Sequence, residues 1–250
     1  MSTDNESRLI EIRLMQQWAR VGALFNVAPA TESVDLELLV IETARVARGD
    51  ERLFVMAASW LAEHHHLLDA RRLARRLTLL EGDDSAVAGA MLAMALEGTP
   101  SATALEAVVK HCRPTTTRTL LFPVIAEIPG LPEIVQAEAL PLFIRWGFWH
   151  NDVTLKRNAI RPAAWLVREC PELRVRALFG PGLDAEVVQL AGSAPRSAAD
   201  MASIAGVTYA AAHAAVARLL GRGVLVRTRA GGRGRVVGIN HAFVGALAMG

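Results

Sequence analysis

Ser197-Ala-Ala-Asp-Met-Ala-Ser-Ile-Ala-Gly-Val-Thr-Tyr-Ala-Ala-Ala-His-Ala-Ala-Val-Ala-Arg-Leu-Leu-Gly-Arg-Gly223 is the stretch whose spacing decides how this chain ends. Ser197 and Asp200 stand at the spacing of a capping box, where each side chain satisfies the other residue's backbone N–H. Ala198, Met201, Ala202 and Ala205 recur at helical spacing, and side chains this small let a second helix come close. Gly206 interrupts the pattern and Thr208 is placed to cap another helix. In that helix Ala212, Val216 and Leu219 form one apolar stripe, ending at Gly221-Arg-Gly223. Two short helices joined by a tight glycine turn predict a helix-turn-helix.

Downstream, Val224-Leu-Val-Arg-Thr-Arg229 alternates like a half-buried strand, Ala230-Gly-Gly-Arg-Gly234 reads as a turn, and Arg235-Val-Val-Gly-Ile239 alternates again. A Gly- and Arg-tipped hairpin straight after a helix pair predicts a winged helix-turn-helix with a two-stranded wing. Ala177-Leu-Phe-Gly180, the helix pair, Gly223-Val-Leu-Val226 and the closing Gly234-Arg-Val-Val-Gly-Ile-Asn240 resemble the winged-helix domains of bacterial ArsR- and MarR-type regulators. The version joined to small nucleotidyltransferases is the most similar. The resemblance spans residues 176–240 of the 250. It implies a transcriptional regulator whose partner is double-stranded DNA, bound as a homodimer on paired half-sites. Winged helices also dock proteins, so the alternative is an adaptor or antitoxin-like protein whose winged helix holds a partner.

On the DNA reading, Thr208, Tyr209 and His213 approach the major groove. Arg218, Arg222, Arg227, Arg229, Arg233 and Arg235 hold phosphates, with Arg233 reaching the minor groove from the wing tip. Turning Ala212, Val216 and Leu219 inward sends Ala210, Ala214, Ala217 and Gly221 outward. Regulators of this kind usually present polar side chains there to base edges. Methyl groups suit thymine methyls or the surface of another protein, and both readings stay open.

Charge is divided unevenly along the chain. Residues 176–250 carry eight Arg and no Lys against Asp184, Glu186 and Asp200, a balance of +5, while residues 1–175 balance at −3. A basic end on a mildly acidic body suits a phosphate-facing module attached to something else. With 52% hydrophobic, 21% charged and only 5% aromatic residues, the core is expected to be Ala, Leu and Val on helices. No apolar run is long enough to span a membrane, and Met1–Arg8 is too polar for a signal peptide. Cys112 and Cys170 lack partner motifs, so a cytoplasmic protein with reduced thiols is expected.

The first 175 residues predict an all-α domain, a helical bundle or a short solenoid, with residues 176–250 as the second domain. Helices are expected over 7–25, 33–48, 50–63, 69–80, 84–96, 101–111, 117–127, 132–146 and 152–169, and no strand before Leu225. Pro123, Pro141 and Pro162 should kink or split the last three. This body would serve dimerisation, a protein partner or a ligand pocket.

Chemical motifs are sparse. Glu63-His-His-His66 with Asp69 has a zinc reading, but consecutive histidines on a helix diverge and no His-Glu-x-x-His spacing converges them. A polar helix end is the plainer reading. Gly82-Asp-Asp-Ser85 reads as a loop and helix cap. There is no Walker A sequence, no G-x-G-x-x-G and no G-x-S-x-G, so no enzyme, cofactor or metal is expected. Arg71, Arg72, Arg75 and Arg76 make two pairs one turn apart, suited to phosphates, an acidic partner or neighbouring acids of the fold. Trp146, Phe148, Trp149 and Trp165 fit core packing, base stacking or a ligand pocket.

Overall fold

The structure, a computed structural model, describes residues 2–99, 102–229 and 235–242. It divides into two units, Met1–Cys170 and Pro171–Gly250. Pro171 opens a helix, α10 (Pro171–Phe179), that packs on α11 (Leu183–Ser193) of the second unit.

In the first unit everything is arranged around α5 (Gly82–Glu97), in which every residue from Ser85 to Ala95 is buried. Ala86, Ala88, Gly89, Ala90, Ala93 and Ala95 make it thin enough for neighbours to approach from all sides. Those neighbours include α2 (Leu36–Val46), α3 (Glu51–His64), α6 (Thr103–Val109) and α8 (Pro141–Ile144). The result is an irregular bundle about a central helix rather than a linear array. Outside it, α1 (Ser2–Arg20) lies on α2, and α4 (Ala70–Leu77) on α2 and α6. Asp35, Asp50 and Asp69 are N-caps, each accepting from the backbone N–H three residues on. Asp84 is not one. Helix α5 begins earlier, at Gly82, and Asp83 and Asp84 occupy its first turn, where acidic side chains complement the helix dipole. Burial raises the Asp84 pKa, against the pull of Arg45.

The prolines divide the rest. Pro123 opens a 3-10 turn (Pro123–Glu127), Pro141 opens α8 after α7 (Leu131–Ala137), and Pro162 caps α9 (Ala163–Glu169). The helix expected over 117–127 is absent, and so is a purely helical body. Thr119–Leu120 forms β1, which pairs in parallel with β2 (Phe148–Trp149). Arg48 accounts for this correction. Its guanidinium donates to the Leu120 and Leu121 carbonyls (3.0 and 3.2 Å), the Thr119 hydroxyl (3.2 Å) and the Asp83 carboxylate (2.5 Å). It also lies over the Phe148 ring.

In the second unit, α12 (Ala198–Ala205) and α13 (Tyr209–Gly221) form the helix pair read from the sequence, bent by 120° at the break. Ser197 and Asp200 form the capping box in both directions, and Gly206 closes α12 in the left-handed region at φ +64°. Strands β3 (Leu225–Arg229) and β4 (Arg235–Ile239) pair antiparallel, Leu225 opposite Ile239 and Arg227 opposite Val237. Arg196 adds a short third rung, exchanging backbone hydrogen bonds of 3.0 and 2.9 Å with Val237. Val187, Val188, Met201, Ala215, Val216, Leu219, Leu225 and Val237 meet in one core. The turn 230–234, with Arg233, and most of the region after Asn240 lie outside the described residues, as do the side chains of Arg229 and Arg235. Among the described residues no single helix is long and apolar enough to cross a membrane.

Candidate nucleic-acid interface

Helix α13 carries most of the candidate residues, and its phase follows from what it buries. Ala212, Val216 and Leu219 face the core together with Ala215, which the sequence pattern did not single out. Ala210, Ala214, Ala217 and Gly221 are exposed. Thr208 spends its hydroxyl on the cap, accepting from the Ala211 N–H at 3.3 Å. Tyr209, 59% exposed, and His213 lie one turn apart with ring centroids 5.7 Å from each other. They form an aromatic, hydrogen-bonding shoulder at the start of an otherwise methyl-covered face.

The arginines are not equivalent. Arg218 donates to Asp184 of α11 at 2.6 Å, a contact that raises its already high pKa. An exposed pair of this kind is weak in water, so a phosphate can take the carboxylate's place. Arg222 is exposed, its guanidinium 5.4 Å from the centre of the Phe179 ring. Arg227 is exposed on β3. Since alternate residues share a strand face, it stands on the same side as Leu225. Arg229 and Arg235 oppose each other in the ladder.

Between α13 and β3 runs an open groove of about 520 Å³, with Val216, Ala217, Leu220, Leu225 and Val226 along it and His213 and Arg227 among its polar members. Helix and strand thus converge on one surface holding His213, Ala217, Gly221 and Arg227. The anchors Asp184, Phe179 and Arg196 had no signal in the sequence, since each acts on a residue far along the chain.

The other motifs of the sequence have structural duties. His64 is buried, with Nε2 2.9 Å from the Arg161 carbonyl. Burial lowers its pKa and that of His66. Among the described residues no group of three His, Cys, Asp or Glu side chains is placed to hold a metal. Arg72 and Arg76 both bind Asp35, at 2.5 and 2.8 Å, while Arg71 and Arg75 face solvent. Trp146 packs on Gly89 of α5, Phe148 is fully buried, and Trp165 lies beside Arg161. Cys112 and Cys170 are both buried, the Cys170 thiol donating to the Arg20 carbonyl at 3.1 Å, and burial pushes the Cys112 thiol up to about 12.

No family model, characterised protein or solved structure matches this chain.

Proposed function

We propose that the second unit is a winged helix that binds double-stranded DNA, and that the protein is a transcriptional regulator acting as a homodimer. The observation that carries this reading is the 120° helix pair followed at once by a two-stranded hairpin, with Tyr209 and His213 exposed where α13 begins. The major groove admits one α-helix. With α13 seated there, Tyr209 and His213 meet base edges, and Ala210, Ala214 and Ala217 meet thymine methyls. Arg218, Arg222 and Arg227 neutralise phosphates, joined by Arg229, Arg233 and Arg235 of the hairpin. Arg218 then exchanges Asp184 for a phosphate oxygen.

Titrating the full chain with its own upstream DNA and with random duplex, at several salt concentrations, tests this. Binding that weakens linearly in log–log salt, and favours the upstream DNA, is the expected result. Binding to neither duplex at low salt removes the reading.

A second reading, a protein-docking adaptor, is favoured by the groove between α13 and β3. Its apolar lining and the small residues along α13 suit an incoming helix more readily than a polar nucleic-acid edge. In that event the double substitution Ala214→Glu, Ala217→Glu blocks a protein partner while DNA binding is absent from the start.

A further inference from the structure

The helical body holds an open cleft of about 770 Å³ that the DNA reading leaves unused. One wall is the start of α3, with Glu51, Arg52, Val55 and Met56; the other is the loop carrying Asp152, Thr154, Lys156 and Asn158. That loop has little regular structure, yet it is pinned along its length. The Lys156 N–H donates to the buried Ser59 hydroxyl at 2.8 Å, and that hydroxyl donates to the Val55 carbonyl at 2.6 Å. The Arg157 guanidinium grips the Glu63 carboxylate and the Gly98 carbonyl. The Leu24 N–H donates to the Ala159 carbonyl at 2.8 Å, and Ala23 bridges Ile160. Asp152 accepts from the N–H and hydroxyl of Thr154 at 2.8 and 2.6 Å. The cleft is therefore preformed, as ligand sites usually are.

Its polar groups divide into those already engaged and those that are not. Asp50 accepts from the Leu53 N–H, and Arg52 donates to the Leu24 carbonyl and lies over the Phe25 ring. Glu51, Lys156 and Asn158 make no side-chain hydrogen bond or ion pair within the described residues. Thr154 first, with a smaller contribution from Lys156, lowers the Asp152 pKa, although Asp152 and Lys156 form no ion pair. Each wall thus carries both signs, but Glu51 on the helix wall and Lys156 with Asn158 on the loop wall are left unengaged in one cleft that Val55 and Met56 also line.

We propose that this cleft binds a small apolar zwitterion, an amino acid or dipeptide with free termini. The ligand ammonium faces Glu51, its carboxylate faces Lys156 and the Asn158 amide, and its side chain covers Val55 and Met56. Carboxylates outnumber cations along the walls, so the ammonium is the stronger anchor. A ligand carrying both charges completes two half-made ion pairs, whereas one lacking either charge leaves one of them unmade. The site lies wholly in the first unit, and its test does not depend on DNA binding.

Calorimetric titration of the full chain with L-leucine and L-leucyl-L-leucine provides the test. Saturable binding of at least one is expected, with N-acetyl-L-leucine and L-leucinamide both about tenfold weaker or worse. Glu51→Gln and Lys156→Met, both at exposed positions, should each weaken the zwitterion by about tenfold without moving the thermal midpoint. Arg71→Ala, exposed on α4, should change nothing. Absence of saturable binding by both zwitterions overturns the proposal. So does leucinamide or acetyl-leucine binding as tightly as leucine, or unchanged affinity in both cleft variants.

Discussion

Arg48 ties together more of the first unit than any motif visible in the sequence. One planar guanidinium serves two carbonyls, a hydroxyl, a carboxylate and an aromatic face, drawn from α5, β1 and the residue after it, and β2. A lysine ammonium is a point charge and cannot reproduce that fork. Arg48→Lys should therefore lower the unfolding free energy by about 1–3 kcal/mol, the cost of leaving partly buried acceptors unpaired. Urea midpoints at unchanged slope would reveal it, and an unshifted midpoint would show the carbonyls to be satisfied by water. Gly89 makes a complementary case. A Cβ there would stand 2.4 Å from the ring of Trp146, which is only 4% exposed and has nowhere to go. Alanine normally strengthens a helix by about 1 kcal/mol over glycine. Overpacking costs about 1–3 kcal/mol, so Gly89→Ala should be net destabilising in the same assay.

Helix α13 can be tested by its two faces. Ala214 is exposed and Val216 is buried, two residues apart. Ala214→Glu should abolish DNA binding by directing a carboxylate at phosphates, with the melting temperature nearly unchanged. Val216→Asp should unfold the unit, because an unpaired charge in an apolar core costs several kcal/mol or shifts its pKa to neutrality. The reverse outcome would mean that the helix is rotated from the phase described. Its flanking arginines predict something different. Each phosphate-neutralising arginine accounts for roughly 0.9 of the log–log salt slope, so Arg222→Ala with Arg227→Ala should flatten it by about 2 and weaken all duplexes alike. Tyr209→Ala or His213→Ala should instead narrow the gap between specific and random DNA, by about 1–3 kcal/mol if a base is read.

Acid should loosen the first unit before the second. His150 is 3% exposed between Phe122 and Phe143, with ring centroids 5.0 and 4.8 Å away, and burial lowers its pKa. His64, 3% exposed, is lowered by burial as well. Each is favoured as the neutral form in the fold, while the unfolded chain takes up its proton near the ordinary value of about 6.5. Their contribution is therefore complete above about pH 6.5 and declines as the pH falls toward the depressed folded values. In the second unit Asp200 is also lowered from its own, far more acidic reference, here by hydrogen bonds rather than burial: the Ser197 hydroxyl and N–H hold its carboxyl below the usual range. Its capping contribution persists above its unfolded pKa and fades only in stronger acid. Urea unfolding at about pH 7.5 and pH 5.5 should show the loss in the full chain and not in residues 171–250 alone. His150→Phe should reduce the pH dependence, and an undiminished dependence would exclude His150 as a source of it. The isolated second unit should itself unfold cooperatively, because Met201, Val216, Leu219 and Val237 close a core of their own.

By itself the sequence determined the parts of this protein that are local. The Ser197–Asp200 box, the Gly206 stop, the Thr208 cap and the inward stripe of α13 rest on hydrogen bonds three or four residues long and on a period of 3.6. The exposure of Tyr209, His213 and the alanine strip follows from the same period, so much of the candidate surface was readable. Three prolines marked where the late helices divide, but not what replaces them. The pairing of β1 with β2 joins two-residue strands too short to carry an alternation signal, and tertiary structure alone decided it. The same holds for Arg218, whose partner Asp184 is 34 residues away, and for the cleft, whose loop hangs on a serine 97 residues earlier. Such pairings depend on which surfaces meet once helices have packed, and nothing in a residue's near neighbours records that meeting.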